Sequence, residues 1–244
     1  MAHKEQLLFV KNMVELFTLS EKSVVEIGSW DVNGSVRQFF TTARYLGIDI
    51  AKGKGVDRVY DGEDLSFLAS NSSDVVISCE CFEHNPHWRS NLQEMIRICS
   101  PGGIILVTCA SRGRFEHGTT RTIPAHSLSV TIGWEYYKNI FKNELVNVLR
   151  DEPIQWQNVT YNPYRRDLYA ILIKEGEMHF NGLLENVEEK VKESLMRNPS
   201  GSLDLGGFSF SKIASYLLSD RNFQNVFFAW RAVFWGIRNR GVKR

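Results

Sequence analysis

Apolar runs of strand length recur through the first half of the chain, and each is followed by a polar turn. Runs that are apolar on both alternating faces are typical of strands buried in a parallel sheet. A segment with helical spacing precedes them at residues 3–19, where Leu7, Val10, Met13, Val14 and Phe17 share one face. The predicted strands are 24–27, 45–50, a short one near 58–60, 73–80 and 104–108. We expect the N-terminal helix to pack on the domain edge or over a bound ligand.

The second half of the chain has a different pattern. We predict a helix at 88–99, a long polar connection at 110–133 and a helix at 134–148, followed by an antiparallel strand pair at 154–161 and 168–174. Beyond residue 174 the α/β pattern ends, and the predicted elements are a charged helix at 182–196, a polar linker at 198–207 and two helical stretches within 209–240. The organisation predicted is one α/β domain at 1–175 and a helical extension at 176–244.

The turn after the first strand carries the most informative chemistry. Glu26 lies in the strand, Gly28 and Gly34 bracket the turn, and Asp49 ends the second strand 23 residues after Glu26. Glycine allows the backbone to approach a ligand, and an acid at the second strand tip can accept hydrogen bonds from ribose hydroxyls. This order predicts a helix start after Gly34 and a nucleoside site at the strand tips.

The glycine spacing separates two kinds of nucleoside cofactor. A dinucleotide turn reads G-x-G-x-x-G because its pyrophosphate sits on the helix N-terminus. Here Trp30 and Asp31 lie between Gly28 and Gly34, so that phosphate seat is missing. An acid before the first glycine, Glu26, suits a ligand with an ammonium group. The residues therefore favour S-adenosylmethionine over NAD, with an ordinary strand-turn-helix as the alternative.

Five ordered motifs between about residues 20 and 110 strengthen this interpretation: EIGSWDVNGSVR, YLGIDI, YDGEDL, DVVISCECFEH and SPGGIILVT. As a set they resemble the class I S-adenosylmethionine-dependent methyltransferases, in particular the type 11 branch. The resemblance implies an α/β, doubly wound, mostly parallel seven-stranded Rossmann-like sheet with the cofactor over the strand ends. An N-terminal helix and a C-terminal helical extension would flank it.

The resemblance also implies positions for the cofactor. Glu26, Gly28 and Gly34 would shape the methionine pocket, and Asp49 would hold the ribose. Asp61 and Gly62 would lie at the adenine edge, and Glu80 beside the cofactor after the fourth strand. The other residues expected to contact the cofactor are Ser29, Trp30 and Ile50. Trp30 stands where relatives often have a second glycine, which is a departure in the methionine pocket.

Methyl transfer needs mainly an acceptor held in line with the sulfonium, plus a base if the acceptor is a hydroxyl. The connection after the fifth strand supplies His117, which we predict as the base, with His84 as a second candidate or a cofactor-side residue. Arg112, Arg114 and Arg121 would bind an anionic part of the acceptor; the alternative is a solvated loop with structural arginines. The EHGTTRT run and the GWEYYKN run after it resemble methyltransferases associated with bacterial surface polysaccharides.

The predicted reaction is O-methylation of a sugar hydroxyl on a glycan or glycan precursor. Two alternatives stay open: a methyltransferase of a small quinone or phenolic compound, and a non-catalytic S-adenosylmethionine-binding protein. Oxygen ligands for a magnesium ion exist in Asp31, Glu83 and Glu116, but no spacing requires an ion, and we expect none.

Composition constrains the partners and the compartment. With 43% hydrophobic and 23% charged residues among 244, the chain can bury a sizeable core. Four cysteines without C-x-x-C pairing, and no signal-peptide pattern, favour a reducing cytoplasm. Six basic residues and no acidic one fall in 221–244, which leaves 23 basic and 28 acidic residues elsewhere. The net negative charge of that remainder argues against a nucleic-acid enzyme, which usually has a basic face.

The basic tail also carries an aromatic stripe at helical spacing. Its members are Phe223, Phe227, Trp230, Phe234 and Ile237. Such a helix could lie on an anionic membrane surface on the inner face of the membrane, or it could dock on its own domain or on the second subunit of a homodimer.

Overall fold

The computed structural model describes residues 4–42, 44–178, 184–195 and 213–229. Seven strands form one sheet in the order β3-β2-β1-β4-β5-β7-β6, and all pairs are parallel except those made by β7. Their bounds are β1 Val24–Ile27, β2 Tyr45–Asp49, β3 Arg58–Val59, β4 Ser73–Cys79, β5 Cys99–Ala110, β6 Ile154–Asn162 and β7 Asp167–Lys174. This is the Rossmann-like sheet that the sequence predicts.

Helices cover both faces of the sheet, which explains why its strands read as continuous apolar runs. The helices are α1 Lys4–Phe17, α2 Trp88–Ile98, α3 Lys142–Leu149 and α4 Val187–Leu195. In β5, Ile104 and Leu106 point to the α1 and α4 side, whereas Ile105 and Val107 point to the α2 and α3 side. One hydrophobic core therefore lies on each face.

The strand register places the chemistry at one edge. Ile27 pairs with Ile48 of β2 and with Ser78 of β4, so these three strands end at the same level. The residues that follow them, Gly28, Ile50 and Glu80, consequently meet at the carboxyl edge of the sheet.

Two helix predictions are wrong. After Gly34 only a 3-10 turn forms at Val36–Phe39, because the aromatic and β-branched residues that follow are poor helix formers and the chain must reach β2 within a few residues. The predicted helix at 134–148 begins only at Lys142. Tertiary contacts hold the preceding residues extended: the Lys138 backbone N–H donates to the Glu83 carbonyl, and that of Ile140 donates to the Ala110 carbonyl. The helix predicted at 88–99 is found as α2, and the Pro101–Gly103 segment that follows it lies inside β5.

The C-terminal region returns to the domain. The charged helix predicted at 182–196 is found as α4, and Asn12 of α1 donates from Nδ2 to the Lys190 carbonyl and to Ser194 Oγ. Residues 213–217 and 220–229 are also helical. The predicted linker at 198–207 and the tail beyond 229 lie outside the described residues. The boundary at residue 175 stays a prediction.

Of the predicted aromatic stripe, the first two members are described. The Phe227 ring stacks on Phe115 with 3.5 Å between centroids, and the Phe223 ring lies 5.9 Å from Phe115. This half of the stripe is docked on its own domain. Among the described helices, none has both the length and the apolar character that crossing a membrane requires.

Candidate active site

An open cleft lies at the carboxyl edge of β1, β2 and β4, with an empty volume of about 740 Å³ including the solvent at its mouth. Eight of the ten predicted cofactor residues line it: Glu26, Gly28, Ser29, Trp30, Gly34, Asp49, Ile50 and Glu80. In open parallel sheets this edge is where ligands bind.

Gly28 forms the turn at the bottom of the cleft. Its φ of +80° lies in the left-handed region, and a Cβ there would be 2.5 Å from Cys81 Cβ. The backbone N–H groups of Gly28 and Ser29 both donate to the Ile48 carbonyl, at 2.9 and 3.1 Å. Glycine is therefore required here both by the backbone angle and by the close approach of the β4 end.

Trp30 and Asp31 replace the second glycine with side-chain contacts. Asp31 accepts from the Gly34 backbone N–H at 2.7 Å and pairs with Lys54 at 2.6 Å, which pins the loop from both sides. The Trp30 ring covers Gly53, where a Cβ would lie 2.5 Å from Trp30 Cδ1. The departure from the glycine-rich pattern thus keeps the loop ordered while leaving the cleft open.

Glu26 supplies a buried carboxyl group facing the cleft. It is 4% exposed, and its Oε2 accepts from the Tyr45 hydroxyl at 2.8 Å. Burial raises the pKa of Glu26 to about 7, against the opposing effect of the Tyr45 hydrogen bond. A ligand ammonium placed beside this carboxyl would favour its ionised form.

Asp49 ends β2 and holds the turn that faces it. Its two oxygens accept from the backbone N–H groups of Trp30 at 3.0 Å and Ile50 at 2.8 Å. Burial raises the pKa of Asp49, and these two hydrogen bonds oppose the rise. A carboxylate accepts up to about four hydrogen bonds, so ribose hydroxyls can still be bound.

The adenine side differs from the prediction. Asp61 and Gly62 do not line the cleft; the exposed Asp61 carboxylate accepts from the backbone N–H groups of Glu63 and Asp64 within its own turn. The Gly62 carbonyl instead accepts from Asn85 Nδ2 at 2.9 Å, which makes the YDGEDL motif a support for the cleft wall.

Sequence reasoning missed most of the residues on this wall. The cleft is also bounded by Gln6, Tyr60, Asn85, His126, Ser127, Leu128 and Trp134. No local pattern marks them, because they come from α1, from the turns after β3 and β4 and from the connection after β5. Trp134 reaches the cleft through a tertiary contact, since a Cβ at Gly62 would collide with its ring.

The two predicted catalytic histidines lie together, but only one reaches the cleft. His84 lines it, whereas His117 lies behind, with 5.0 Å between the ring centroids and Tyr137 edge-on to both. Burial lowers the pKa of His84 well below its ordinary value, and burial with the nearby Arg114 charge lowers that of His117 to about 3. Both imidazoles are therefore neutral at neutral pH.

A carboxyl group completes this cluster. Glu83 is fully buried, and its Oε1 lies 3.8 Å from His117 Nε2. Burial and the neighbouring Glu80 raise the pKa of Glu83 to about 8. Glu83 and His84 come from a 3-10 turn, Phe82–His84, directly after β4.

The three predicted acceptor arginines do not line the cleft. Arg112 donates to the Ser215 carbonyl at 2.9 Å, Arg114 to the Arg165 carbonyl at 2.8 Å, and Arg121 pairs with Glu116 at 3.3 Å. In the described structure they tie the connection after β5 to β6–β7 and to the C-terminal segment. None of the three is placed to contact an acceptor in the cleft.

Comparison with known proteins gives a family match over the centre of the chain. Residues 34–107 match the type 11 family described as a methyltransferase domain. No curated protein matches the sequence. Among solved structures, the YcgJ protein of Bacillus subtilis is similar at 13% identity over 72% of this chain and 100% of its own, with a TM-score of 0.50.

A second solved structure is the 1,6-didemethyltoxoflavin-N1-methyltransferase of Burkholderia thailandensis, with 12% identity, coverage of 71% of this chain and 80% of its own, and a TM-score of 0.48. At 13% identity the YcgJ structure bears on the fold alone. The family match and the seven-stranded sheet together support an S-adenosylmethionine-dependent methyltransferase with S-adenosylmethionine as its cofactor.

Proposed function

We propose that this chain transfers the methyl group of S-adenosylmethionine to a hydroxyl oxygen, and that the acceptor is a sugar of a glycan or glycan precursor. The assignment of the cofactor rests on one observation: Glu26 and Asp49 lie on either side of the left-handed turn at Gly28, and all three residues line the same cleft. The ammonium of the cofactor would lie at Glu26 and its ribose at Asp49, with no phosphate to seat.

The reaction requires little from the protein beyond positioning. The acceptor oxygen forms a bond to the methyl carbon as the carbon–sulfur bond breaks, and the electron pair of that bond remains on sulfur. The hydroxyl proton must leave, and the products are a methyl ether and S-adenosylhomocysteine. Holding oxygen, carbon and sulfur in line supplies most of the rate enhancement.

The proton leaves towards the cluster that borders the cleft. His84 is the imidazole of that cluster which lines the cleft, with His117 and Glu83 behind it. Both imidazoles are weak bases, because burial lowers the pKa of His84 well below its ordinary value and that of His117 to about 3, so only position separates them: His84 lines the cleft and His117 does not. We therefore place His84 nearest the acceptor and give His117 a supporting position.

A sugar acceptor is supported by the polar groups that line the cleft. Asn85, His126 and Ser127 line it together with His84. Since the three arginines face elsewhere, we propose an uncharged hydroxyl-bearing acceptor group rather than an anionic one. A second candidate, a phenol or quinol, is favoured by Trp134 and Leu128 on the same wall.

The test is release of S-adenosylhomocysteine by the purified chain with two acceptor panels, nucleotide sugars with oligosaccharides, and phenols with quinols. Turnover on the first panel supports the proposal, and turnover only on the second replaces the acceptor class. Binding of S-adenosylmethionine without turnover on either panel would favour a cofactor-binding protein. Preference for NAD in calorimetry would contradict the cofactor itself.

We also propose a cytoplasmic location, a homodimer, and contact of the tail beyond residue 229 with an anionic membrane. Liposome flotation compares the full chain with a chain ending at residue 229, which keeps the docked helix intact. Equal flotation of the two would remove the membrane proposal.

A further inference from the structure

Three side chains with metal-binding atoms converge beside the cleft. Glu83 and His84 come from the turn after β4, and His117 comes from the connection after β5. One ligand atom from each residue lies within 4.8 Å of the others. Two imidazoles and one carboxylate are a donor set suited to divalent transition metals.

The donor atoms have no competing contacts that would explain their burial. Neither carboxylate oxygen of Glu83, neither ring nitrogen of His84, nor Nε2 of His117 has a hydrogen-bond partner among the described residues. Glu83 is 0% exposed and His84 is 7% exposed. Burying such groups without partners is unfavourable, so their arrangement indicates a ligand that satisfies them.

The second nitrogen of His117 has the contact typical of a metal-binding histidine. Its Nδ1 lies 3.1 Å from the Phe115 carbonyl oxygen. A carbonyl can only accept, so Nδ1 carries the proton and Nε2 presents its lone pair towards Glu83. Metal-ligating histidines usually donate their other ring N–H in this way, to a backbone carbonyl or a carboxylate.

The surrounding charges also favour a cation. Glu80, Glu83 and Asp167 are buried and interact electrostatically with one another. Arg114 is the guanidinium whose charge acts on all three. A divalent ion at Glu83 would be attracted by this buried group of carboxyl oxygens.

We propose that Glu83, His84 and His117 bind one divalent transition-metal ion of the zinc type, with an open coordination position directed to the cleft beside His84. Tetrahedral zinc with bonds of about 2.0–2.1 Å places its donor atoms roughly 3.3–3.4 Å apart. The 3.8 Å between Glu83 Oε1 and His117 Nε2 closes to this value with a shift of about half an ångström. This proposal replaces the expectation that no metal is used.

Metal binding would promote deprotonation of the acceptor hydroxyl, which the two histidines assist little because they are weak bases. An acceptor hydroxyl bound at the open position would lose its proton to water in the open cleft more readily, because the cation stabilises the alkoxide; the imidazoles that bind the ion would then position it instead of accepting the proton. That consequence rests on the proposed function, whereas binding of the ion does not.

The test begins with the full chain stripped by a chelator and dialysed against Zn²⁺, Co²⁺, Mn²⁺ or Mg²⁺, with bound metal counted by mass spectrometry. We expect one Zn²⁺ or Co²⁺ per chain, a visible Co²⁺ spectrum typical of low coordination, and no retention of Mg²⁺. The variants are Glu83→Gln and His117→Gln, which preserve side-chain size. The matched control is His126→Gln, an imidazole that lines the same cleft outside the cluster.

Each cluster variant should weaken Zn²⁺ binding by at least about 100-fold, since loss of a hydrogen-bonded neighbour of a ligand alone costs about 10- to 100-fold. His126→Gln should retain the ion. S-adenosylhomocysteine binding and circular dichroism establish that each variant is folded. A stripped wild type that takes up no metal, or cluster variants that bind as the control does, would overturn the proposal. Retained zinc with no turnover on any acceptor would instead contradict the proposed function.

Discussion

Protonation of Glu26 is expected to control how tightly the amino acid end of the cofactor is held. Its pKa of about 7 in the free protein is set chiefly by burial. A bound ammonium favours the carboxylate, so binding lowers this pKa and releases a proton. Affinity for the cofactor therefore falls as the pH drops through about 7. It keeps falling at lower pH for as long as the bound state requires the Glu26 carboxylate.

The magnitude follows from the two ionised fractions. At pH 5.5 about 3% of Glu26 is ionised, against about three quarters at pH 7.5, taking the pKa of about 7. The ammonium of a free amino acid is protonated at both pH values. The fraction of Glu26 that is competent to bind it thus falls from about three quarters to about 3%, which predicts a rise in Kd of about 25-fold.

Calorimetry with S-adenosylhomocysteine measures this, because that product has the same amino acid end and no reactive methyl group. In Glu26→Gln the affinity at pH 7.5 should drop by about 10- to 150-fold, the equivalent of one charge-assisted hydrogen bond of about 1.5–3 kcal/mol. The acidic loss of affinity should vanish in this variant. Repeating the titration at pH 6 in two buffers of different ionisation enthalpy should show nearly one proton released by the wild type.

Asp61→Asn is the matched control, because its carboxylate is exposed and outside the cleft. It should keep the wild-type pH dependence. Asp49 also titrates in the cleft. The ratio of the Kd values of the wild type and Glu26→Gln, taken at each pH, therefore isolates the contribution of Glu26. If Glu26→Gln showed the same pH slope as the wild type, the assignment of the ammonium to Glu26 would be refuted.

Two further substitutions test the walls of the site. Gly62→Ala should lower Tm and weaken cofactor binding, because the new Cβ collides with the Trp134 ring. Gly133→Ala is the matched control, since Gly133 has a similar positive φ but no atom lies within 4 Å of the new Cβ. It should show only the backbone cost of about 1 kcal/mol, or roughly 2–4 °C in Tm. Asp220→Ala leaves the backbone N–H of buried Asn139 without its acceptor and removes one of the two acceptors of Asn139 Nδ2, which keeps the Arg114 carbonyl; the change should cost about 1–3 kcal/mol in denaturant unfolding. An unchanged midpoint for that variant would mean that the C-terminal segment does not brace this loop.

The sequence alone determined the sheet and the cofactor edge. Strand runs, the turn at Gly28 and the acids Glu26 and Asp49 follow from local periodicity and from the backbone angles that a residue type allows. Because parallel strands align in register, acids placed at successive strand ends must meet at one edge.

Only the tertiary structure decided which groups of the connection after β5 face the cleft. Arg112 is held by Ser215, a residue 103 positions away, and His117 lies behind His84 and does not line the cleft. Trp134 stays outside a helix and instead closes the cleft against Gly62. Such positions depend on contacts between segments distant in the chain, which override local propensity and leave no pattern in the neighbouring residues.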